Sequence, residues 1–237
     1  MQIIRVENLK KDYKDVKALK GVSLTIEQGE LYGLLGVNGA GKTTLIKILS
    51  GLTKKTSGQA YVKGYSLDQM NEIKKIVDIS PQEVAVANNL TVYENLVFFQ
   101  ELYGKLDQGY LDMVVESLDL ADVLKKKAKT LSGGYQRRLS IAIGLMSKPE
   151  ILFLDEPTLG LDVIARRELW NIIRKFKNKI TIILTSHYLE EIEALCDRIG
   201  VMSKGELLFQ GTAFEMKKVT GEESFEEAFI KIVGGEY

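Results

Sequence analysis

The chain of 237 residues is long enough to bury one sizeable core with subdomains. Its 32 Lys+Arg are balanced by 32 Asp+Glu, so no basic field advertises a nucleic-acid partner. A lone cysteine, Cys196, excludes an internal disulfide and suits a reducing compartment, where it is expected to pack as a small apolar residue. No apolar run approaches the ~20 residues that span a bilayer. The start, Met1 to Glu7, lacks the apolar core of a signal peptide.

Strand-like segments near residues 2–7, 22–28, 58–63 and 198–210 predict a small antiparallel sheet. Lys204-Gly205-Glu206 reads as a hairpin turn within the last of them. Tyr32-Gly33-Leu34-Leu35 reads as a short buried strand, and Lys42 to Ser50 as a helix with Leu45, Ile48 and Leu49 on one face and Gly51 at its C′ position. Between them, Gly36-Val37-Asn38-Gly39-Ala40-Gly41-Lys42-Thr43-Thr44 fits G-x-x-x-x-G-K-[ST], the P-loop. Glycines let successive N–H groups point at phosphate oxygens, and the helix dipole adds to the attraction. Lys42 then bridges β- and γ-phosphates, and the Thr43 hydroxyl binds Mg²⁺.

Ile76 to Ile79 is strand-like and leads into Ser80-Pro81-Gln82-Glu83. Residues of about 85–148 read as mostly helical. Thr91 to Tyr103 carries Leu96, Phe99, Leu102 and Tyr103 at helical spacing, with Glu94 completing a capping box on Thr91. Phe98 and Phe99 point about 100° apart on such a helix, so they cannot both face one core. Either both bury against different neighbours or one lines a groove for a helix of a partner. Lys125-Lys126-Lys127 reads as a solvated face.

Leu131-Ser132-Gly133-Gly134-Tyr135-Gln136 opens a helix expected to run to about Ser147 and to stop before Pro149. Ser132 is its expected N-cap, and a phosphate-binding role keeps that geometry and adds a ligand. Ile151 to Leu154 is a continuous apolar run, as for a central strand covered on both faces, and it ends in Asp155-Glu156. Ile180 to Leu184 repeats the pattern and delivers Thr185-Ser186-His187, the only histidine. Trp170 falls on a helix of about 163–177 and reads as core, and residues of about 212–233 read as two short helices.

With two anion-binding helix starts in one chain, the sequence resembles the ATP-binding subunit of an ABC transporter, over residues 13 to 187. That resemblance implies an α/β fold: a P-loop NTPase core with a mainly parallel sheet, an antiparallel β subdomain and a helical subdomain. The expected boundaries are about 1–82 and 149–211 for the core with the β subdomain, 85–148 for the helical subdomain and 212–237 for a tail. The cofactors implied are ATP and Mg²⁺. Tyr13 is placed to stack on adenine. Gly36, Asn38, Gly39, Ala40, Gly41, Lys42, Thr43 and Thr44 hold the phosphates. Thr43, Gln82 and Asp155 organise Mg²⁺, Glu156 polarises the attacking water, and His187 contacts the γ-phosphate. Ser132, Gly133, Gly134 and Gln136 meet a nucleotide from across a dimer interface, with Asp162 of Leu159-Gly160-Leu161-Asp162 near the partner's P-loop.

The implied function is an ATPase that dimerises around two MgATP and powers a separate membrane permease. Its expected location is cytoplasmic, peripheral to the inner face of the cell membrane. Thr91-Val92-Tyr93-Glu94-Asn95-Leu96, followed by Phe98-Phe99, and a short C-terminus look like exporter subunits of the ABC-2 type. A soluble ATPase acting on a protein assembly, such as iron–sulfur machinery, is the alternative. Intact Lys42, Glu156 and His187 argue against a non-hydrolysing module.

Overall fold

A computed structural model describes residues 1–104 and 106–235. Among the described residues, ten strands form two sheets. The first holds β1 (Gln2–Tyr13), β2 (Val16–Glu27), β4 (Ser57–Val62) and β5 (Tyr65–Ser66) in the antiparallel order β2-β1-β4-β5. The second has the order β10-β9-β3-β8-β7-β6, from β3 (Leu31–Gly36), β6 (Val77–Ser80), β7 (Ile151–Asp155), β8 (Thr181–Ser186), β9 (Arg198–Ser203) and β10 (Glu206–Gly211). All its neighbours are parallel except β10 on β9.

The central strands are buried end to end, and their side chains alternate between two cores. Tyr32, Leu34, Ile151, Phe153 and Ile183 face the antiparallel sheet, while Leu31, Leu35, Leu152, Leu154, Ile182 and Leu184 face the helical side. A strand covered on both faces has no polar side, which is why these segments read as unbroken apolar runs. Helix α1 (Lys42–Leu49) lies between the two sheets and buries Leu45, Ile46, Ile48 and Leu49. The remaining helices are α2 (Met70–Ile73), α3 (Val92–Tyr103), α4 (Gln108–Ser117), α5 (Gly133–Leu145), α6 (Val163–Arg174), α7 (Leu189–Leu195), α8 (Ala213–Thr220) and α9 (Phe225–Gly234).

Residues 198–210 do not join the antiparallel sheet, contrary to the sequence expectation. β9 pairs in parallel with β3, and β10 folds back on β9 at the edge of the core sheet. The reason is burial: β9 carries Ile199, Val201 and Met202, and needs cover on both faces. Lys204 (φ 48°) and Gly205 (φ 84°) form the connecting turn, both in the left-handed region that a two-residue hairpin favours. The Gln210 side chain then bridges to Thr25 of β2 and to the Tyr32 hydroxyl, tying one sheet to the other.

Helix α3 starts with the expected capping box of Thr91 and Glu94. Its buried face differs from the expected one. Val92, Asn95, Leu96 and Gln100 are buried, whereas Leu102 is 67% and Tyr103 52% exposed. Two amides turn this face inward because they anchor loops. Asn95 Oδ1 accepts from Ala87 N at 2.8 Å and its Nδ2 donates to the Ala87 and Thr91 carbonyls at 3.1 and 2.8 Å. Gln100 exchanges two bonds with the backbone of Asp107. Replacing Asn95 by Leu strands these buried backbone groups, and an unsatisfied buried group costs about 1–3 kcal/mol. We expect Asn95→Leu to lower the unfolding free energy by about 3 kcal/mol, read from denaturant melts. An unchanged midpoint would show that the loop finds other partners.

Candidate functional site

The carboxyl ends of four parallel strands meet at one edge of the core sheet. β3 runs into the glycine-rich loop and α1, β6 into Pro81-Gln82, β7 into Glu156, and β8 into His187. The register sets Leu154 against Ser80 and Leu184, Asp155 against Thr185, and Leu35 against Ser186. Ligands of open parallel sheets bind at this edge, and a cleft of about 540 Å³ lies there.

Tyr13, Asn38, Gly39, Ala40, Gly41, Lys42, Thr43, Thr44, Gln82, Glu156 and His187 line the cleft, with Val16, Lys17 and Ala18 at the Tyr13 end. The loop curls because Gly41 adopts φ 104°, where a Cβ would stand 2.7 Å from the Ala18 carbonyl oxygen. That position therefore accepts only glycine. Lys42 is buried, and its Nζ donates to the Gly36 carbonyl at 2.6 Å and more weakly to Val37. Burial lowers the Lys42 pKa from the ordinary lysine value, and the carboxylates of Glu156 and Asp155 oppose that shift. Tyr13 is 43% exposed at the mouth, with Lys11 Nζ over its ring at 4.6 Å.

Behind the loop, Thr43 Oγ1 lies 3.4 Å from Asp155 Oδ1. The same carboxylate oxygen accepts from Thr185 Oγ1 at 2.6 Å, and Thr185 Oγ1 accepts in turn from Glu156 N at 2.9 Å. Glu156 takes φ 50°, a left-handed conformation that costs a non-glycine residue about 1–3 kcal/mol and recurs at functional positions. The turn swings its carboxylate into the cleft, where Oε2 is 2.7 Å from His187 Nδ1. The His187 ring packs on Tyr188, whose other neighbour is the Arg166 guanidinium. Thr185 is the functional residue that sequence reasoning left without a role. Its signal was a hydroxyl at a strand end, level with a buried carboxylate on the next strand.

Seven of the expected site residues do not line this cleft: Gly36 and Asp155, which meet Lys42 and Thr43, and five on or beside α5 and α6. Ser132, Gly133 and Gly134 stand at the start of α5, with Ser132 in N-cap geometry but making no side-chain cap hydrogen bond. Gln136 points back and donates to the Ala128 carbonyl at 3.2 Å. Asp162 caps α6, accepting from Ile164 N and Ala165 N at 2.9 Å each.

A family model described as "ABC transporter" matches residues 19–159, and one for an AAA domain matches residues 128–193. The linearmycin resistance ATP-binding protein LnrL of Bacillus subtilis is 40% identical over 220 residues, covering 90% of this chain and 70% of that protein. The daunorubicin resistance ATP-binding protein DrrA3 of Streptomyces coeruleorubidus is 39% identical, covering 92% and 71%. The human phospholipid-transporting ATPase ABCA3 is 39% identical over 92% of this chain, which spans 13% of that protein. Among solved structures, an ATP-binding subunit of an ABC transporter superposes with a TM-score of 0.85 at 26% identity, over 97% of this chain and 99% of that one. A cassette in its ADP conformation gives 0.82 at 26% identity over the same shares. The fold and the sequence are thus shared with these relatives, and the chain belongs to the ABC transporter family as an ATP-binding cassette, an ATPase.

Proposed function

We propose that the chain is the ATP-hydrolysing motor of an exporter, pairing with a second nucleotide-binding subunit around two MgATP and driving a separate membrane permease. The observation that carries this reading is the split cradle. Lys42, Glu156 and His187 line one cleft, while Ser132, Gly133 and Gly134 offer an unspent hydroxyl and helix-start N–H groups outside it. A helix start of that kind attracts phosphate, so a second subunit completes the site.

Within the cleft, the N–H groups of the glycine-rich loop and Lys42 hold the β- and γ-phosphates, and Tyr13 offers a ring face to adenine. Thr43 and Asp155 supply hard oxygen donors for Mg²⁺. No cluster of three or more His, Cys, Asp or Glu suited to a metal occurs among the described residues. Water and phosphate oxygens would complete the coordination of such an ion. When bound, Mg²⁺ neutralises charge on the β- and γ-phosphates. Glu156 orients the attacking water and takes its proton as the water oxygen bonds to the γ-phosphorus and the bond to ADP breaks. With Nδ1 engaged by Glu156, His187 keeps Nε2 for the γ-phosphate.

Export is supported by the two relatives named for resistance to linearmycin and daunorubicin. No helix among the described residues is long and apolar enough to cross a membrane. A peripheral place on the inner face of the membrane, with permease subunits carrying substrate, follows from this reading. The candidate contact is α3, where Phe98 is 52% exposed and meets the half-buried Phe99 edge-on at 5.2 Å. An exposed aromatic beside exposed Leu102 suits a helix-in-groove contact.

Lys42→Ala removes the charge on the β/γ-phosphates, so MgATP affinity and turnover should both fall, and unchanged turnover would sink the role of the loop. Glu156→Gln should lower turnover about 10³-fold yet retain ATP. That variant should form an ATP-dependent dimer on size exclusion, and adding Ser132→Arg should abolish it. A dimer that persists in the double variant rules out the trans role of Ser132. Phe98→Asp should leave ATP binding intact and weaken co-purification with the membrane permease. Undiminished assembly and transport would place docking elsewhere.

A further inference from the structure

Arg137 lies in the second turn of α5 and is 4% exposed, yet it makes no direct ion pair among the described residues, the Asp155 carboxylate acting on it only from a distance. Instead it donates to two successive backbone carbonyls, Pro81 at 2.8 Å and Gln82 at 2.7 Å. A buried guanidinium without an ion pair is costly, and a planar fork of donors suits two adjacent carbonyls in a way an ammonium does not. β6 ends at Ser80, and Pro81 has no N–H with which to continue the ladder. One turn further along α5, Ser140 Oγ lies 3.0 Å from Ser80 Oγ, both buried. A turn beyond that, Gly144 packs against Ile79, where an added Cβ would be 3.9 Å from the backbone carbonyl carbon. Residues 137, 140 and 144 thus fasten one stripe of α5 along residues 79–82.

The two ends of this fastening serve different sites. Gln82 lines the cleft of its own subunit. Ser132 begins the same helix roughly 7.5 Å along the axis from Arg137 and lies outside the lining of that cleft. We propose that Arg137 is a positioning residue that locks the Gln82 loop of one ATP site to the helix start presented to the partner's ATP site, so that the two sites of a dimer close together. The proposal rests on the trans role of Ser132 argued above.

The test uses the full chain with Arg137→Met, which removes the donors, and Arg137→Lys, which keeps the charge without the fork. MgATP binding is measured on dilute monomer, ATP-driven dimerisation by sedimentation in the Glu156→Gln background, and kcat and KM with Glu156 intact. Coupling between sites typically spans 5–150-fold, so Arg137→Met should weaken dimerisation and lower kcat by about tenfold or more while monomer binding and KM stay within about twofold. Arg137→Lys should recover part of that loss. If both variants dimerise like the parent while Ser132→Arg blocks the dimer, the role of Arg137 is overturned and the trans reading stands. If Ser132→Arg also dimerises, the trans reading fails and the proposal with it. If either Arg137 variant that folds loses monomer binding in step with dimerisation, Arg137 merely supports the fold and the proposal is overturned. Should neither variant fold, Arg137 is likewise a folding residue.

Discussion

Thr185 stands opposite Asp155 in the β7–β8 register, and its hydroxyl is shared between two neighbours. It donates to Asp155 Oδ1 and accepts from the Glu156 amide. The first bond fixes a buried carboxylate next to Thr43 at the root of the phosphate loop. The second holds the chain where Glu156 turns into left-handed space, a strained step that would relax if left alone. Both depend on register. A slip of one residue between β7 and β8 would exchange the faces of every side chain on the strand. Phe153 would then point into the helical core and Leu152 against the antiparallel sheet. The two close-packed cores therefore enforce the register, and the register places the chemistry.

A second carboxylate shows how the loop after Glu156 is held. Glu191 on α7 is fully buried and accepts from Trp170 Nε1 at 2.9 Å and Thr158 Oγ1 at 3.0 Å. Burial raises its pKa, opposed by hydrogen bonding with Ser186, Thr158 and Trp170. Three elements, the loop after Glu156, α6 and α7, converge on one side chain. The loop that ends in Asp162 is thus anchored at Thr158 from behind, while Asp162 caps α6 at its exposed end.

Much of this was legible in the sequence because the strongest signals are local. β3, β7 and β8 read as apolar runs, and the glycine-rich loop and the α3 capping box are fixed by short spacings. Residues 198–210 were misplaced because their parallel partner is remote: Gly200 pairs with Leu34. Alternation along a strand does not say which sheet it joins. The face of α3 was misread because Asn95 and Gln100 look like solvent-facing residues, and nothing local shows that loop carbonyls wait for them. Arg137 and Arg138 are neighbours of the same type with opposite fates. One reaches backbone carbonyls in the interior, and the other pairs with Glu168 at 2.6 Å near the surface.

Those neighbouring arginines tie α5 to different elements. On the β6 side, Arg137, Ser140 and Gly144 form buried, water-excluded contacts, where removing one partner strands another buried group. On the α6 side, Arg138 bridges Glu168 and, at 3.8 Å, Asp119, whose side chains are both more than half exposed. The Arg138 guanidinium is itself largely buried, so losing Glu168 would leave its charge poorly compensated, whereas losing Arg137 would strand two carbonyls. Both arginines thus hold α5 in place, one on the strand leading to Gln82 and the other on α6.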